Sequence, residues 1–264
     1  MSAWVLVRGL TREARHWAHL PEPLRASGIE GEFVFADLPG TGAHVGLRAP
    51  ANVEAMVEFV RADLASRGHA PPYSVIAMSL GAMVATAWAQ REPREIERLA
   101  LINTSMRPFS SPLQRLRPRA WPELLCAAAR WRERREVEAA IHNLTCNRRD
   151  TRDADLAAWI AIYRGAPVTR ANALRQLWAG ARYRAGRAAP RCPTLIVSSS
   201  ADTLVHPACS AHLAQAWGAA HVAHPWAGHD LPHDDAVWLA QAIAAWAGDA
   251  GAGQPVRGRS RCTQ

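Results

Sequence analysis

Tyr73-Ser74-Val75-Ile76-Ala77-Met78-Ser79-Leu80-Gly81 is the stretch on which the fold turns. Pro71-Pro72 precede it, Tyr73 to Met78 read as a buried strand, and helical spacing runs from about Leu80 to Arg91, where Pro93 closes it. A serine at such a sharp strand-to-helix turn is held in a strained backbone with its oxygen exposed above the sheet. Positions two residues to either side must be small, because the turn brings backbones together; Ala77 and Gly81 meet that need. The following helix aims its first amides at the same point, which favours a developing oxyanion. Taken alone, the pattern fits a buried, helix-capping serine equally well.

Strands and helices alternate on either side of this turn. Strand-like runs lie at 3–7, at Phe33-Val-Phe-Ala36 before the turn-rich Asp37-Leu-Pro-Gly-Thr-Gly42, at Leu99-Ala-Leu-Ile-Asn103, at Pro193-Thr-Leu-Ile-Val-Ser198 and near His221–Pro225. Helical spacing runs over Ala14–Ala26, Val53–Leu64, around Cys209–Trp217 and over Ala236–Trp246. The alternation predicts an α/β fold with a mostly parallel sheet of about six strands and helices on both faces. Ligands of such sheets sit beyond the carboxyl ends of the strands, so post-strand residues are the ones to inspect. A nucleophilic serine needs a base and an acid that orients the base. The post-strand loops carry Ser79, then Ser199-Ser-Ala-Asp202, then Trp226-Ala-Gly-His229-Asp230. Ser79, His229 and Asp202 are therefore the candidate nucleophile, base and acid. Asp230, beside His229, competes for the last role.

The organisation predicted is a core over 1–105, a helical insert over 106–191, a second part of the core over 192–247, and a flexible basic tail over 248–264. The 264 residues include 31 basic ones, all arginine, and the formal net charge is +8. The insert concentrates that charge, with 18 Arg against 7 acidic residues, and carries Trp121, Trp131, Trp159 and Trp178. Its arginines admit three readings: a solvated surface enriched by codon usage, a rim that recognises an acidic carrier or carboxylate, or a nucleic-acid surface. No nucleic-acid motif accompanies the charge, so nucleic acid is not an expected partner. No apolar run reaches the ~18 residues of a membrane span. The five cysteines are scattered without a CxxC pair, and no secretory leader is expected, so the chain reads as cytoplasmic.

The order Ser79…Asp202…His229, the Asp37-Leu-Pro-Gly-Thr-Gly42 loop, the Leu99–Asn103 strand and the Ala201-Asp202 and Gly228-His229-Asp230 loops together resemble the α/β-hydrolase superfamily. The resemblance covers roughly 3–105 and 192–247. It implies a sheet without the family's usual N-terminal β-hairpin and a helical cap over the active site at 106–191. It further implies a serine esterase with Ser79, Asp202 and His229 as catalytic triad, acting through an acyl-enzyme on a small-molecule ester, thioester or lactone. The backbone amides of Leu10 and Leu80 would form the oxyanion hole. The family's usual His-Gly after the first long parallel strand is here Arg8-Gly9, which makes Arg8 a candidate substrate-binding residue. Trp17 and Met78 each fit either core packing or the wall of the pocket.

Two other functions remain open at this stage. One is an acyl methyl esterase or acyl transferase whose basic cap docks an acidic acyl carrier protein. The other is a non-catalytic binding protein on a hydrolase scaffold. No cofactor is expected: neither a G-x-x-x-x-G-K-[ST] loop nor a G-x-G-x-x-G after a strand is present. No metal is expected either. His221, His224, His229 and His233 cluster within 13 residues, but Pro232 argues against a helix there and no Cys or Glu completes a site. His142 and Cys146, four apart on a helix, read as a chance pair, and Asp234 and Asp235 as solvated or helix-capping.

Overall fold

The buried strands turn alternate side chains to two apolar layers, and that alternation builds the core. A computed structural model describes residues 3–17 and 19–252. Its strands are β1 (Trp4–Val7), β2 (Phe33–Ala36), β3 (Tyr73–Met78), β4 (Ile96–Ile102), β5 (Thr194–Ser199) and β6 (Ala220–His224). They form one six-stranded sheet in the order β2-β1-β3-β4-β5-β6, with every neighbouring pair parallel. The helices are α1 (Pro21–Ala26), α2 (Val53–Ser66), α3 (Leu80–Arg91), α4 (Pro112–Arg115), α5 (Trp121–Ala129), α6 (Arg134–Thr145), α7 (Arg152–Gly165), α8 (Arg170–Arg182), α9 (Ala208–Trp217), α10 (Leu231–Asp234) and α11 (Ala236–Ala252).

Val5, Val7, Val75, Ala77, Leu99 and Leu101 face one layer, where they meet Val57 and Val60 of α2, Trp88 of α3 and Leu213 of α9. Trp4, Leu6, Ile76, Met78, Ala100 and Ile102 face the other, against Leu24 of α1 and Leu239 and Ile243 of α11. Full burial of each Leu, Ile or Val contributes roughly 1.5–3 kcal/mol. A sheet covered on both faces leaves its strand ends as the open surface, and the loops there carry the residues singled out above.

Three local expectations are corrected. The helix predicted over Ala14–Ala26 is a 3-10 turn at Ala14–Trp17 followed by α1, because Pro21 and Pro23 lack the N–H that a continuous helix requires and fit only its first turn. The last helix does not stop at Trp246 but continues to Ala252, so 248–252 belong to a helix and not to a tail; 253–264 lie outside the described residues. Pro232 does not prevent a helix: it occupies the first turn of the short α10. The segment 106–191 holds α4 to α8.

Candidate active site

Ser79 joins β3 to α3 with φ 53° and ψ −116°, a backbone that a side-chain-bearing residue adopts only under constraint. The constraint is visible on both sides of the peptide. Its N–H donates to the Ile102 carbonyl at 3.0 Å, and its carbonyl accepts from Thr104 Oγ1 at 3.0 Å. Two glycines make the close approach of β1 possible. A Cβ on Gly81 would strike the carbonyl oxygens of Val7 and Arg8, and one on Gly9 would lie 3.1 Å from the Ser79 Cβ.

The loops after β5 and β6 bring two further groups to this turn. His229 Nε2 lies 3.1 Å from Ser79 Oγ, and His229 Nδ1 lies 2.7 Å from Asp202 Oδ2. Asp202 is buried, and its other oxygen, Oδ1, accepts from the amides of Leu204 (2.8 Å) and Val205 (2.9 Å), which fixes the carboxylate. A carboxylate facing Nδ1 favours the tautomer that carries its proton there, which leaves the Nε2 lone pair toward the serine hydroxyl. Burial pushes the His229 imidazole down, but the charge and hydrogen bond of Asp202, helped by Asp230, outweigh both burial and the opposing Arg8, so it is held above its ordinary value. Among the described residues, no protein acceptor takes the amide of Leu10 or of Leu80.

Asp230 does not compete for His229. Its carboxylate meets the Arg8 guanidinium in a two-pronged ion pair at 3.1 and 2.6 Å, both side chains buried. Burial acts to raise the Asp230 carboxyl, yet Arg8 holds it below its usual value. Arg8 also lies 4.9 Å over the Trp17 ring. Arg8, Trp17 and Met78 are all buried: the Arg8 guanidinium pairs with Asp230, while Trp17 and Met78 pack in the layer that holds Leu24 of α1 and Leu239 and Ile243 of α11.

Asn103, which received no role from the sequence, ties three post-strand loops together. It too has a positive φ, 43°. Its Nδ2 donates to the carbonyls of His229 (2.7 Å) and Gly228 (3.2 Å) and to Ser199 Oγ (2.9 Å), and its Oδ1 accepts from the Ser199 amide at 2.8 Å. An asparagine straight after a strand is the available signal, since it tolerates this backbone better than most residues. Asp234, expected to be solvated or capping, is instead buried and accepts from the amides of Asn147, Arg148 and Gly228. It thereby joins the loop after β6 to the end of α6. The four clustered histidines go separate ways: His221 to Ser198, His224 to Asp235, His229 to Ser79 and Asp202, and His233 to Asp155.

The segment 106–191 is docked onto the same loops through α6, α8 and the stretch after α4. Gln176 of α8 accepts from the Thr11 amide and donates to the Pro39 carbonyl. Glu138 of α6 receives Arg12 at 2.9 Å and also Arg134. Arg117 donates to the Asp202 carbonyl at 2.8 Å, and Arg115 to the Gly180 carbonyl at 2.6 Å. Part of the insert's arginine complement is thus spent inside the molecule. A cavity of about 840 Å³ lies elsewhere, lined by His19, Arg148, Asp155, Trp226 and His233 among others, and does not include Ser79.

Comparisons with known proteins agree with this arrangement of strands and loops. A family model described as serine aminopeptidase, S33, matches residues 2–234. The bifunctional biotin-biosynthesis protein BioHC of Teredinibacter turnerae is 36% identical over 105 residues, which are 39% of this chain and only 17% of that one. RutD of Klebsiella pneumoniae, named for carbamate hydrolysis, is 29% identical over 240 residues, 88% of this chain and 86% of that one. The crystal structure of an enol-lactonase from Burkholderia xenovorans superposes with a TM-score of 0.73 at 20% identity, covering 95% of this chain and 91% of that one.

Proposed function

The chain belongs to the α/β-hydrolase family described as serine aminopeptidase, S33, and is a hydrolytic enzyme; from that premise we propose that it cleaves a carboxylic ester or lactone through an acyl-enzyme on Ser79. The observation that carries the reading is the line of two short contacts, Ser79 Oγ to His229 Nε2 at 3.1 Å and His229 Nδ1 to Asp202 Oδ2 at 2.7 Å. Ser79, Asp202 and His229 then form the catalytic triad.

In the first half-reaction Ser79 Oγ attacks the acyl carbon while its proton passes to His229 Nε2. Asp202 keeps the imidazole in the tautomer that can accept this proton and stabilises the resulting cation. The carbonyl oxygen becomes an oxyanion, which the free amides of Leu10 and Leu80 receive; each such donor is worth about 3 kcal/mol at the transition state. His229 returns the proton to the departing alkoxide. A water molecule then attacks the acyl-enzyme with His229 again as base, and the proton goes back to Ser79 as the acid leaves. The segment 106–191, docked on the loops after β1, β2 and β5, forms the cap over this chemistry. The lactonase and carbamate-hydrolase names among the similar proteins fit the same acyl-transfer logic.

Labelling with a fluorophosphonate, with the adduct located by mass spectrometry, tests the reading. An adduct on Ser79 in the wild type, absent from Ser79→Ala and strongly slowed in His229→Ala, is the expected result. A folded wild type that takes no adduct at Ser79 while an adduct forms elsewhere would overturn it.

A further inference from the structure

Away from Ser79, two segments bring soft and nitrogenous side chains to one point. α6 carries His142, Cys146 caps its C-terminus four residues on, and α10 delivers His233. One donor atom from each of these three residues lies within 4.8 Å of the other two. Asp155 of α7 adds a carboxylate: its Oδ2 is 3.2 Å from His142 Nε2 and 2.9 Å from His233 Nε2, and it accepts from Thr151 Oγ1 at 2.8 Å. Apart from those contacts, His142 is wholly enclosed, and its Nδ1 is buried without any hydrogen-bond partner. An orphaned imidazole nitrogen in a protein interior needs an explanation, and an unfilled coordination bond is one.

We propose that His142, Cys146 and His233, with Asp155 as their carboxylate partner, bind one divalent cation of the zinc class at a site distinct from the serine centre. The chemistry of the donors selects the ion. Two imidazoles and a thiolate are borderline-soft ligands that suit zinc and its neighbours, whereas magnesium and calcium require oxygen-rich sets. A carboxylate held against metal-binding histidines is the usual outer partner that orients the rings. Trp159 completes an apolar wall, its ring 5.4 Å from that of His142 and 5.2 Å from that of His233. The local field is mixed. The charges nearby are already committed: Asp230 to Arg8, Asp234 to the amides of Asn147, Arg148 and Gly228, Arg12 to Glu138 and Arg149 to Asn143. Asp155 and His233 also line the 840 Å³ cavity, which gives an ion a path from solvent and room for a further ligand.

The position gives such an ion a structural effect. The amide of Asp230 donates to the carbonyl of Thr145 at 2.7 Å, so the turn that follows His229 already rests on the end of α6. A cation held by His142 and Cys146 on one side and His233 on the other clamps these two segments together.

The test uses the full chain stripped of metal with a strong chelator, then titrated with Zn²⁺ by calorimetry in a competing weak chelator, and with Co²⁺ by absorbance. The expected result is one equivalent of metal per chain, a sulfur-to-cobalt charge-transfer band, tetrahedral d–d bands and a raised Tm in the presence of Zn²⁺. Cys146→Ser should abolish the charge-transfer band, and Asp155→Asn should weaken binding by about 10–100-fold. His233→Asn, at the rim of the cavity, supplies a second ligand variant should Cys146→Ser fail to fold by circular dichroism. Absence of stoichiometric uptake would overturn the proposal. So would uptake unchanged in Cys146→Ser and His233→Asn, which would assign the metal to exposed groups such as Cys126.

Discussion

The Arg8 guanidinium meets the Asp230 carboxylate edge to edge, two hydrogen bonds at 3.1 and 2.6 Å joining the end of β1 to the residue after His229. Both side chains are buried, so neither charge has water as an alternative partner. Arg8→Met strands the Asp230 charge, and we expect a loss of about 3–5 kcal/mol in urea unfolding. Replacing both partners, Arg8→Met with Asp230→Leu, should recover most of that loss, since a buried ion pair exchanged for apolar groups is often close to neutral.

The raised His229 imidazole sets the acid side of the pH profile. The base must be neutral to take the serine proton, so kcat/KM should fall as pH drops through a value above the ordinary 6.5. Asp202→Asn removes the group that raises it and should lower kcat by about 10⁴-fold at pH 7. Stability follows the opposite sign. A folded-state value above the unfolded one contributes stability that is fully present below the unfolded value and is lost as pH rises through the folded one. Chemical denaturation of wild type and Asp202→Asn across that window measures the difference.

Gly81 carries a steric prediction. Gly81→Val places its side chain against the carbonyls of Val7 and Arg8, which belong to a central strand and its loop and cannot move cheaply. Overpacking of this kind costs typically about 1–3 kcal/mol. Because the displaced backbone leads directly to Leu10, the rate of fluorophosphonate labelling should fall more than the Tm shift alone accounts for.

Asn103→Ala removes hydrogen bonds to two neighbouring segments, at Ser199 and at Gly228-His229, while leaving Ser79, Asp202 and His229 in place. The His229 carbonyl and the Ser199 amide lose a buried partner, worth about 1–3 kcal/mol each where no other is found. We expect kcat to fall with KM nearly unchanged, the sign of a displaced base rather than a lost substrate contact.

Much of this was readable in the sequence because the sheet is parallel. Strands buried on both faces appear as unbroken apolar runs, and the residues that follow them are then set apart by position alone. Ser79, Asp202 and His229, the three brought within hydrogen-bond distance, are among the residues so marked. What escaped is what depends on partners distant in sequence. Nothing near Arg8 announces Asp230, and His142 and Cys146 look like a chance pair until α10 brings His233 beside them. Pro21 and Pro23 were visible, yet the apolar spacing across Ala14–Ala26 hid the break they impose. The continuation of α11 to Ala252 was masked by Gly248 and Gly251, which a helix tolerates at a modest penalty.

The sheet order also dictates a sequence in time. β1 lies between β2 and β3, both of which follow it closely in the chain, but its loop receives Asp230 only after 222 further residues. Contacts at such separation form late, since the loop between them must first be closed. On a ribosome the strained serine turn can fold while the histidine is still unmade. The loop after β6, which locks onto Arg8 and Asn103, is therefore the last part of the site to arrive, and a chain interrupted before that point is a sheet that lacks His229 beside Ser79.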